Sequence, residues 1–464
     1  MLKQLILENW KSFRYAELPI DPLTVLIGTN ASGKSNVVEA LEFLQRIVRG
    51  EDIEAALAGD KTLPSIRGGV EWAARKPEAQ FTLKAILQGE DENTDYLYSI
   101  TVQTKPVVQV LEERIEYKKN DEHLLEKEIL INETKSKKSF FPELKLSFKK
   151  NKLYSDSLNK AKNNIKEFNE LVKEILSAKN QNNEKILQEE NQKQVESLTE
   201  KLENRIKSIK TTTKTLNIEQ IEEQIDELSN TLNKINLIIS ALTNIFILNP
   251  IPSKMRDYSL LSDTLESDAS NIAGVLAALP DEQKAEVEET ISAYAKNLPE
   301  GDIQKIWTEK VGRFGTDAML YCEELWKPGH ITEIDARSMS DGTLRFLAIL
   351  TALLTRPEGS QLVIEEIDNG LHPSRAELLV RMLREIGETR KIDILITTHN
   401  PALLDALGPE IVPFVVVAHR DSETGESKLT LLEDIENLPK LMASGTLGKL
   451  TTKGAIERSL ADTK

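Results

Sequence analysis

Apolar residues change their spacing several times along this chain, and each spacing predicts a different element. Lys3 to Leu7 alternates, as a half-buried strand does. Leu23 to Ile27 is a continuous apolar run and reads as a buried strand. From Asn36 onward, Val37, Leu41, Leu44 and Val48 fall on one side of a helix. Phe81–Leu87, Tyr96–Gln103 and Val107–Tyr117 each resemble strands of a partly exposed sheet. Ile66-Arg67-Gly68-Gly69 reads as a loop.

The pattern then changes. From Glu143 to Asn249 there is neither glycine nor proline, which is incompatible with a set of turns and short strands. Ile218, Ile221, Ile225, Leu228, Leu232, Ile235, Ile239 and Leu242 recur in alternating steps of three and four, the seam of a coiled coil. Ile165, Phe168, Val172 and Ile175, then Val195, Leu198 and Leu202, repeat it more loosely. The reading is a helical hairpin or short stalk inserted into a globular head; a helical subdomain with a narrow core is the alternative. Pro250 and Pro252 end it. Asn271–Leu298 reads as helical, and Ile303–Val311 and Ala318–Leu325 as strands. Ile331 to about Val417 alternates helix and buried strand, as α/β layers do. Ser422–Lys464 reads as an appendage with a strand and a short helix. The expected domains are 1–151, an N-terminal lobe; 152–249, the helical insertion; 250–420, a C-terminal lobe; and 421–464, the appendage.

Composition narrows the class. The chain has 464 residues, enough for two or three domains, and 40% hydrophobic content, that of a globular protein. No run of 18 apolar residues offers a membrane span, and Met1-Leu2-Lys3-Gln4 does not open a signal peptide. A single cysteine, Cys322, excludes an internal disulfide framework and predicts a cytoplasmic protein. The net charge of −16 argues against indiscriminate nucleic-acid binding over the whole surface. Lys118, Lys119, Lys127, Lys135, Lys137, Lys138, Lys145, Lys149, Lys150 and Lys152 cluster near the insertion, among interleaved acids. They read as a solvated surface or, alternatively, a phosphate-contacting patch.

The candidate chemistry centres on Gly28-Thr29-Asn30-Ala31-Ser32-Gly33-Lys34-Ser35, which fits G-x-x-x-x-G-K-[ST] between a strand and a helix. That context surrounds an anion with free backbone N–H groups. Lys34 then reaches the β- and γ-phosphates of ATP, and the Ser35 hydroxyl can ligate Mg2+. Gln361–Glu366 is a short apolar run ending in two acids. Adjacent strand residues point to opposite sides, so the two differ in role. Glu365 is assigned to the Mg2+ shell through water, and Glu366 to orienting the attacking water. Ser340 is a good N-cap for the apolar helix that follows, and Gly342 permits close backbone approach. Ile392–Thr397 is another buried strand, ending in Thr398-His399-Asn400-Pro401. A histidine there can donate to a γ-phosphate.

Together these residues resemble the ABC-type ATPase heads of the SMC, RecF and OLD-like group. The resemblance covers both ends of the chain and omits the middle. Asn9-Trp10-Lys11-Ser12-Phe13 resembles the family's opening turn, which lies against the nucleotide and adds Lys11 and Ser12 to the ATP contacts. Gly28–Ser35, with Asn30 and Gly33, matches Walker A. Ser340-Asp341-Gly342-Thr343 resembles the signature motif, Leu362–Glu366 matches Walker B, Asp368–Pro373 resembles the D-loop, and His399 matches the switch histidine. The implied fold is an α/β P-loop ATPase head with an inserted coiled-coil stalk. The resemblance also implies hydrolysis between two heads, with Ser340 and Gly342 completing the neighbour's site. Arg67 is a candidate for the arginine this family places after Walker A. The stalk is too short for a chromosome-scale arm, and it lacks the Cys-x-x-Cys of a zinc hook.

The signature variant resembles a stand-alone bacterial branch whose members pair with a separate nuclease or toxin in Septu- and PARIS-type anti-phage systems, an analogy at family level. The expected function is therefore a regulatory ATPase subunit that restrains an effector nuclease. A RecF-like DNA-repair ATPase, with DNA as partner, is the second reading. A transporter ATPase is disfavoured by the stalk and the opening turn.

Overall fold

The computed structural model describes residues 1–61, 63–91, 93–119, 127–132, 233–327 and 329–462. They fall into two units, one formed by Met1–Glu42 with Asn244–Lys464, the other by Phe43–Thr243.

The first unit opens with an antiparallel hairpin, β1 (Leu2–Glu8) and β2 (Tyr15–Pro19), followed by β3 (Leu23–Ile27) and helix α1 (Lys34–Val48), which runs on into the second unit. The second unit continues with α2 (Ile53–Ala58) and a meander of β4 (Gln80–Gln88), β5 (Thr94–Gln103), β6 (Gln109–Lys119) and β7 (Lys127–Asn132), all antiparallel. In β4 and β5 every second residue is buried, which is the alternation seen in the sequence. Phe43 meets Phe81 edge to face, ring centres 5.5 Å apart.

Back in the first unit come β8 (Ile245–Leu248), β9 (Ser259–Leu260), α3 (Ile272–Ala278), α4 (Asp281–Lys296), β10 (Ile303–Val311), β11 (Asp317–Lys327) and β12 (His330–Asp335). They are followed by α5 (Asp341–Thr355), β13 (Gln361–Ile364), α6 (Ala376–Arg390), β14 (Asp393–Thr397), α7 (Pro401–Leu407), β15 (Val415–Arg420) and β16 (Ser427–Leu431). Three helices close the chain: α8 (Leu438–Ser444), α9 (Leu447–Thr452) and α10 (Ala455–Asp462).

The central sheet has the order β16-β15-β3-β14-β13-β8, parallel throughout except for β16, which runs antiparallel to β15. Every residue of β13 and β14 is buried, as the uninterrupted apolar runs demand of a sheet covered on both faces. Helix α5 is buried almost continuously from Thr343 to Leu354 and so lies inside the unit. A second, antiparallel sheet joins β10, β11 and β12, with β9 on β11.

Three local expectations change. Asn271–Leu298 is two helices, because Pro280 lacks an N–H and holds Leu279 extended, at ψ 147. His330–Asp335 is not a buried α/β strand but a largely exposed edge strand. The segment after Ser422 carries three helices rather than one, and Leu432, Ile435, Leu438, Leu447, Leu450 and Ile456 join the first unit's core. Of the helical insertion, residues 233–243 are helical, with Ile235, Ile238 and Leu242 buried. The seam from Ile218 to Leu232, the looser repeat from Ile165 to Leu202 and the lysines from Lys135 to Lys152 lie outside the described residues.

Candidate functional site

The phosphate loop joins the buried end of β3 to α1. Gly28 and Gly33 have φ of 141 and 117, and a side chain at either would collide with neighbours. A Cβ on Gly28 would stand 2.1 Å from the Ala418 carbonyl oxygen, and one on Gly33 2.8 Å from the Phe13 ring. These two glycines are therefore required for conformation and for space. Lys34 is 8% exposed, and its Nζ donates to the carbonyls of Gly28 at 2.7 Å and Thr29 at 3.0 Å. Burial pulls its pKa below the ordinary lysine value, while Glu366, Glu365 and Asp368 pull the other way. The Ser32 hydroxyl is buried in the loop and meets no hydrogen-bond partner among the described residues. A buried donor without a partner fits an anion-binding loop.

The acidic strand end is brought to the same loop. Ser35 Oγ donates to Glu365 Oε1 across 330 residues of chain. Glu366 follows with φ 49, and its N–H donates to Thr397 Oγ1 at 2.8 Å. The Ile367 N–H donates to the Thr397 carbonyl at 3.1 Å. Thr398 Oγ1 donates to Asp368, and the Thr398 N–H to the Leu26 carbonyl at 3.2 Å. Two buried threonines at the end of β14 thus hold the chain that carries both acids and Asp368. His399 is exposed just beyond them, and Asn400 caps α7 by accepting from the Ala402 N–H at 2.9 Å.

The opening turn packs on α1. The Trp10 indole donates to the Asn36 carbonyl at 2.7 Å, Asn36 Nδ2 donates to Ser12 Oγ at 2.7 Å, and Lys11 forms a buried ion pair with Glu39. Ser340 caps α5, accepting from the Thr343 N–H at 3.1 Å. Gly342 has no room for a side chain, since its Cβ would stand 2.8 Å from the Gly370 carbonyl oxygen and 3.0 Å from Arg375 Nη1. The start of α5 and the segment around Gly370 therefore touch each other within one chain. Arg375 is buried and pairs with Glu300 at 3.0 Å. Arg256 donates to the carbonyls of Ala336, Arg337 and Met339 and pairs with Asp341, fixing the approach to α5.

The structure therefore brings Gly33, Lys34, Ser35, Glu365, Glu366 and Asp368 to one end of the parallel sheet. Ser340 and Gly342 are engaged instead with their own helix, the Gly370 carbonyl and Arg375. Arg67 belongs to the Phe43–Thr243 unit, outside the unit that carries the others. Sequence reading missed Thr397, Arg375 and Arg256. Thr397 carried a signal, a polar residue closing the apolar run Ile394–Ile396; the two arginines carried none. No group of three or more His, Cys, Asp or Glu among the described residues could hold a metal unaided. A hydroxyl beside one carboxylate instead suits Mg2+, which takes few protein ligands and shares substrate phosphates and water.

A largely parallel sheet whose inner strand β3 feeds a phosphate loop, one strand away from a strand followed by two acids, defines a P-loop ATPase fold. The chain belongs to the family described as "AAA domain, putative AbiEii toxin, Type IV TA system", whose model matches residues 23–405, well over half of the sequence. No curated protein matches it. Among solved structures it is similar to an Smc head bound to the C-winged helix domain of ScpA, at 12% identity, covering 92% of this chain and 97% of that one, with a TM-score of 0.47. A Pyrococcus furiosus Smc head with an extended coiled coil, bound to the C-terminal domain of ScpA, matches at 14% identity over 95% and 99%, TM-score 0.43. The SMC head of Thermotoga maritima matches at 14% over 93% and 98%, TM-score 0.39. No helix among the described residues is long and apolar enough to cross a membrane.

Proposed function

We propose that this chain hydrolyses ATP as a head that pairs with a second head around the nucleotide, and that the pair regulates a separate effector nuclease in bacterial anti-phage defence. The observation that carries the ATPase reading is the hydrogen bond from Ser35 to Glu365, which joins the phosphate loop to the acidic strand. The loop N–H groups, Asn30, Gly33 and Lys34 bind the phosphates. Lys11 and Ser12 act through α1, whose Glu39 and Asn36 they hold. Ser35 and Glu365 hold Mg2+, which neutralises phosphate charge when bound. Glu366 orients the attacking water, its backbone fixed in the left-handed region by Thr397, and His399 donates to the terminal phosphate. Ser340 and Gly342, at the start of α5, complete the site of the opposite head. The family's own description names a putative toxin of a type IV toxin–antitoxin system, which supports a two-component arrangement without assigning this chain the regulatory part.

The test is ATP binding, hydrolysis and sedimentation with Mg2+ for the wild type, Lys34→Ala and Glu366→Gln. Losing a charged hydrogen-bond partner should weaken binding about ten- to a hundred-fold in Lys34→Ala. Glu366→Gln should bind ATP, accumulate as a dimer and lose turnover. Hydrolysis by Glu366→Gln at the wild-type rate would refute the assignment of the acids. For the effector, the tagged chain is recovered from its native host: a co-purifying nuclease supports the regulatory role, and recovery alone counts against it.

A further inference from the structure

The hairpin of β15 and β16 leans on the phosphate loop along its length. The Ala418 carbonyl fills the space beside Gly28, and the Ser427 hydroxyl lies 2.9 Å from the Cβ position of Gly33. Between them, Arg420 Nε donates to the Ala31 carbonyl at 2.9 Å, and Arg420 Nη1 donates to the Gly425 carbonyl at 3.2 Å. The hairpin is itself anchored. The Ser427 N–H donates to the Ser12 carbonyl at 2.9 Å, its hydroxyl to Ser12 Oγ at 2.8 Å, and Glu426 pairs with Arg14 at 3.0 Å. Lys428 donates to Asp421 at 2.6 Å and closes the turn.

Ala31 gives this contact its meaning. Its φ is 63, in the left-handed region that glycine adopts freely and alanine does not. The bias against it is worth about tenfold in population. A left-handed residue within the loop is what turns successive N–H groups toward one centre, as an anion nest requires. If Ala31 relaxes, its carbonyl swings away and the ring of donors opens.

We propose that Arg420 is a positioning residue for the nucleotide: by holding the Ala31 carbonyl, it keeps an alanine in the left-handed turn that the phosphate loop needs. The planar guanidinium bridges two carbonyls at once, which a lysine ammonium on a flexible stem does less well. The residue stands 389 positions from the loop it serves, so no local pattern marks it. The inference rests on the nucleotide reading above, which the same experiment separates from it.

Affinity for Mg2+ and a fluorescent ADP (the mant derivative) is measured for the wild type, Arg420→Ala, Arg420→Lys, Ala31→Gly and the Ala31→Gly/Arg420→Ala double variant. Arg420→Ala should raise Kd about tenfold and Arg420→Lys by less. Ala31→Gly sets the reference for its own background, in which the further loss of Arg420 should cost no more than about twofold, because glycine holds the turn unaided. That rescue is the decisive result: a role in charge or in general stability would be lost equally in both backgrounds. Equal losses, or Arg420→Ala binding like the wild type, would overturn the proposal while leaving nucleotide binding intact. A wild type that binds no nucleotide, or a Lys34→Ala variant that binds as well as the wild type, would remove the nucleotide reading and this inference with it.

Discussion

Asp393 opens β14, the strand that ends at Thr397 with Thr398 just beyond, and it is only 6% exposed. Burial pushes its carboxyl up to about 6 from an ordinary 3.8; the Met1 amine eases the rise and Asp21 adds to it. Below about pH 4 both folded and unfolded chains hold the proton, and burial costs nothing. Between about 4 and 6 the unfolded chain ionises while the folded one does not, so stability falls as pH rises. Above about 6 the full penalty applies. Each unit is worth about 1.4 kcal/mol, so the ceiling is about 3 kcal/mol at neutral pH. Asp393→Asn keeps the shape and removes the charge. It should melt on the order of 3–5 °C higher at pH 7.5, with the advantage shrinking toward zero as pH approaches 4. Circular dichroism melts of both proteins across that range measure it. An Asp393→Asn protein no more stable at pH 7.5, or equally favoured at both ends, would refute the assignment of an ionised, poorly solvated carboxylate.

Other outcomes follow from single contacts. Gly28→Ala sets a methyl against the Ala418 carbonyl in a fixed backbone and should destabilise by about 3 kcal/mol or more, with loss of nucleotide binding; an unchanged melt would mean the loop is looser than described. Ser340→Arg removes a helix cap and should lower the melt by the equivalent of about 1 kcal/mol. It should spare ATP binding by an isolated chain but abolish turnover, and loss of binding would count against a shared two-head site. Cys322 is 1% exposed, and burial, with Glu324 and Asp302, raises its thiol pKa to about 12. It should resist maleimide under native conditions and react on unfolding, whereas labelling within minutes in the native state would contradict its burial.

The sequence alone determined what depends on neighbouring residues. The glycine-lysine loop between an apolar run and an amphipathic helix and the N-cap at Ser340 are local patterns, because backbone geometry fixes side-chain direction within a few residues; the acids read as part of the strand itself, pointing to opposite sides, whereas β13 stops at Ile364 and both follow it in a turn, Glu366 with φ 49. The same logic read the meander strands from alternation and placed a break at Pro250. It failed at Pro280, where a helical composition hid a break, and after Ser422, where three short helices gain their stability from a core they do not carry themselves.

Tertiary structure alone decided which distant residues meet. Nothing near Ser35 announces Glu365, and nothing near Ala31 announces Arg420. Thr397 gains its role only because the parallel register sets the end of β14 beside the end of β13. Arg375 and Gly342 become neighbours only where the segment after β13 folds back on α5. Local pattern can state which groups are suited to phosphate, metal and water. Which of them share one end of a sheet is set by strand order and burial, free-energy terms summed over the whole unit.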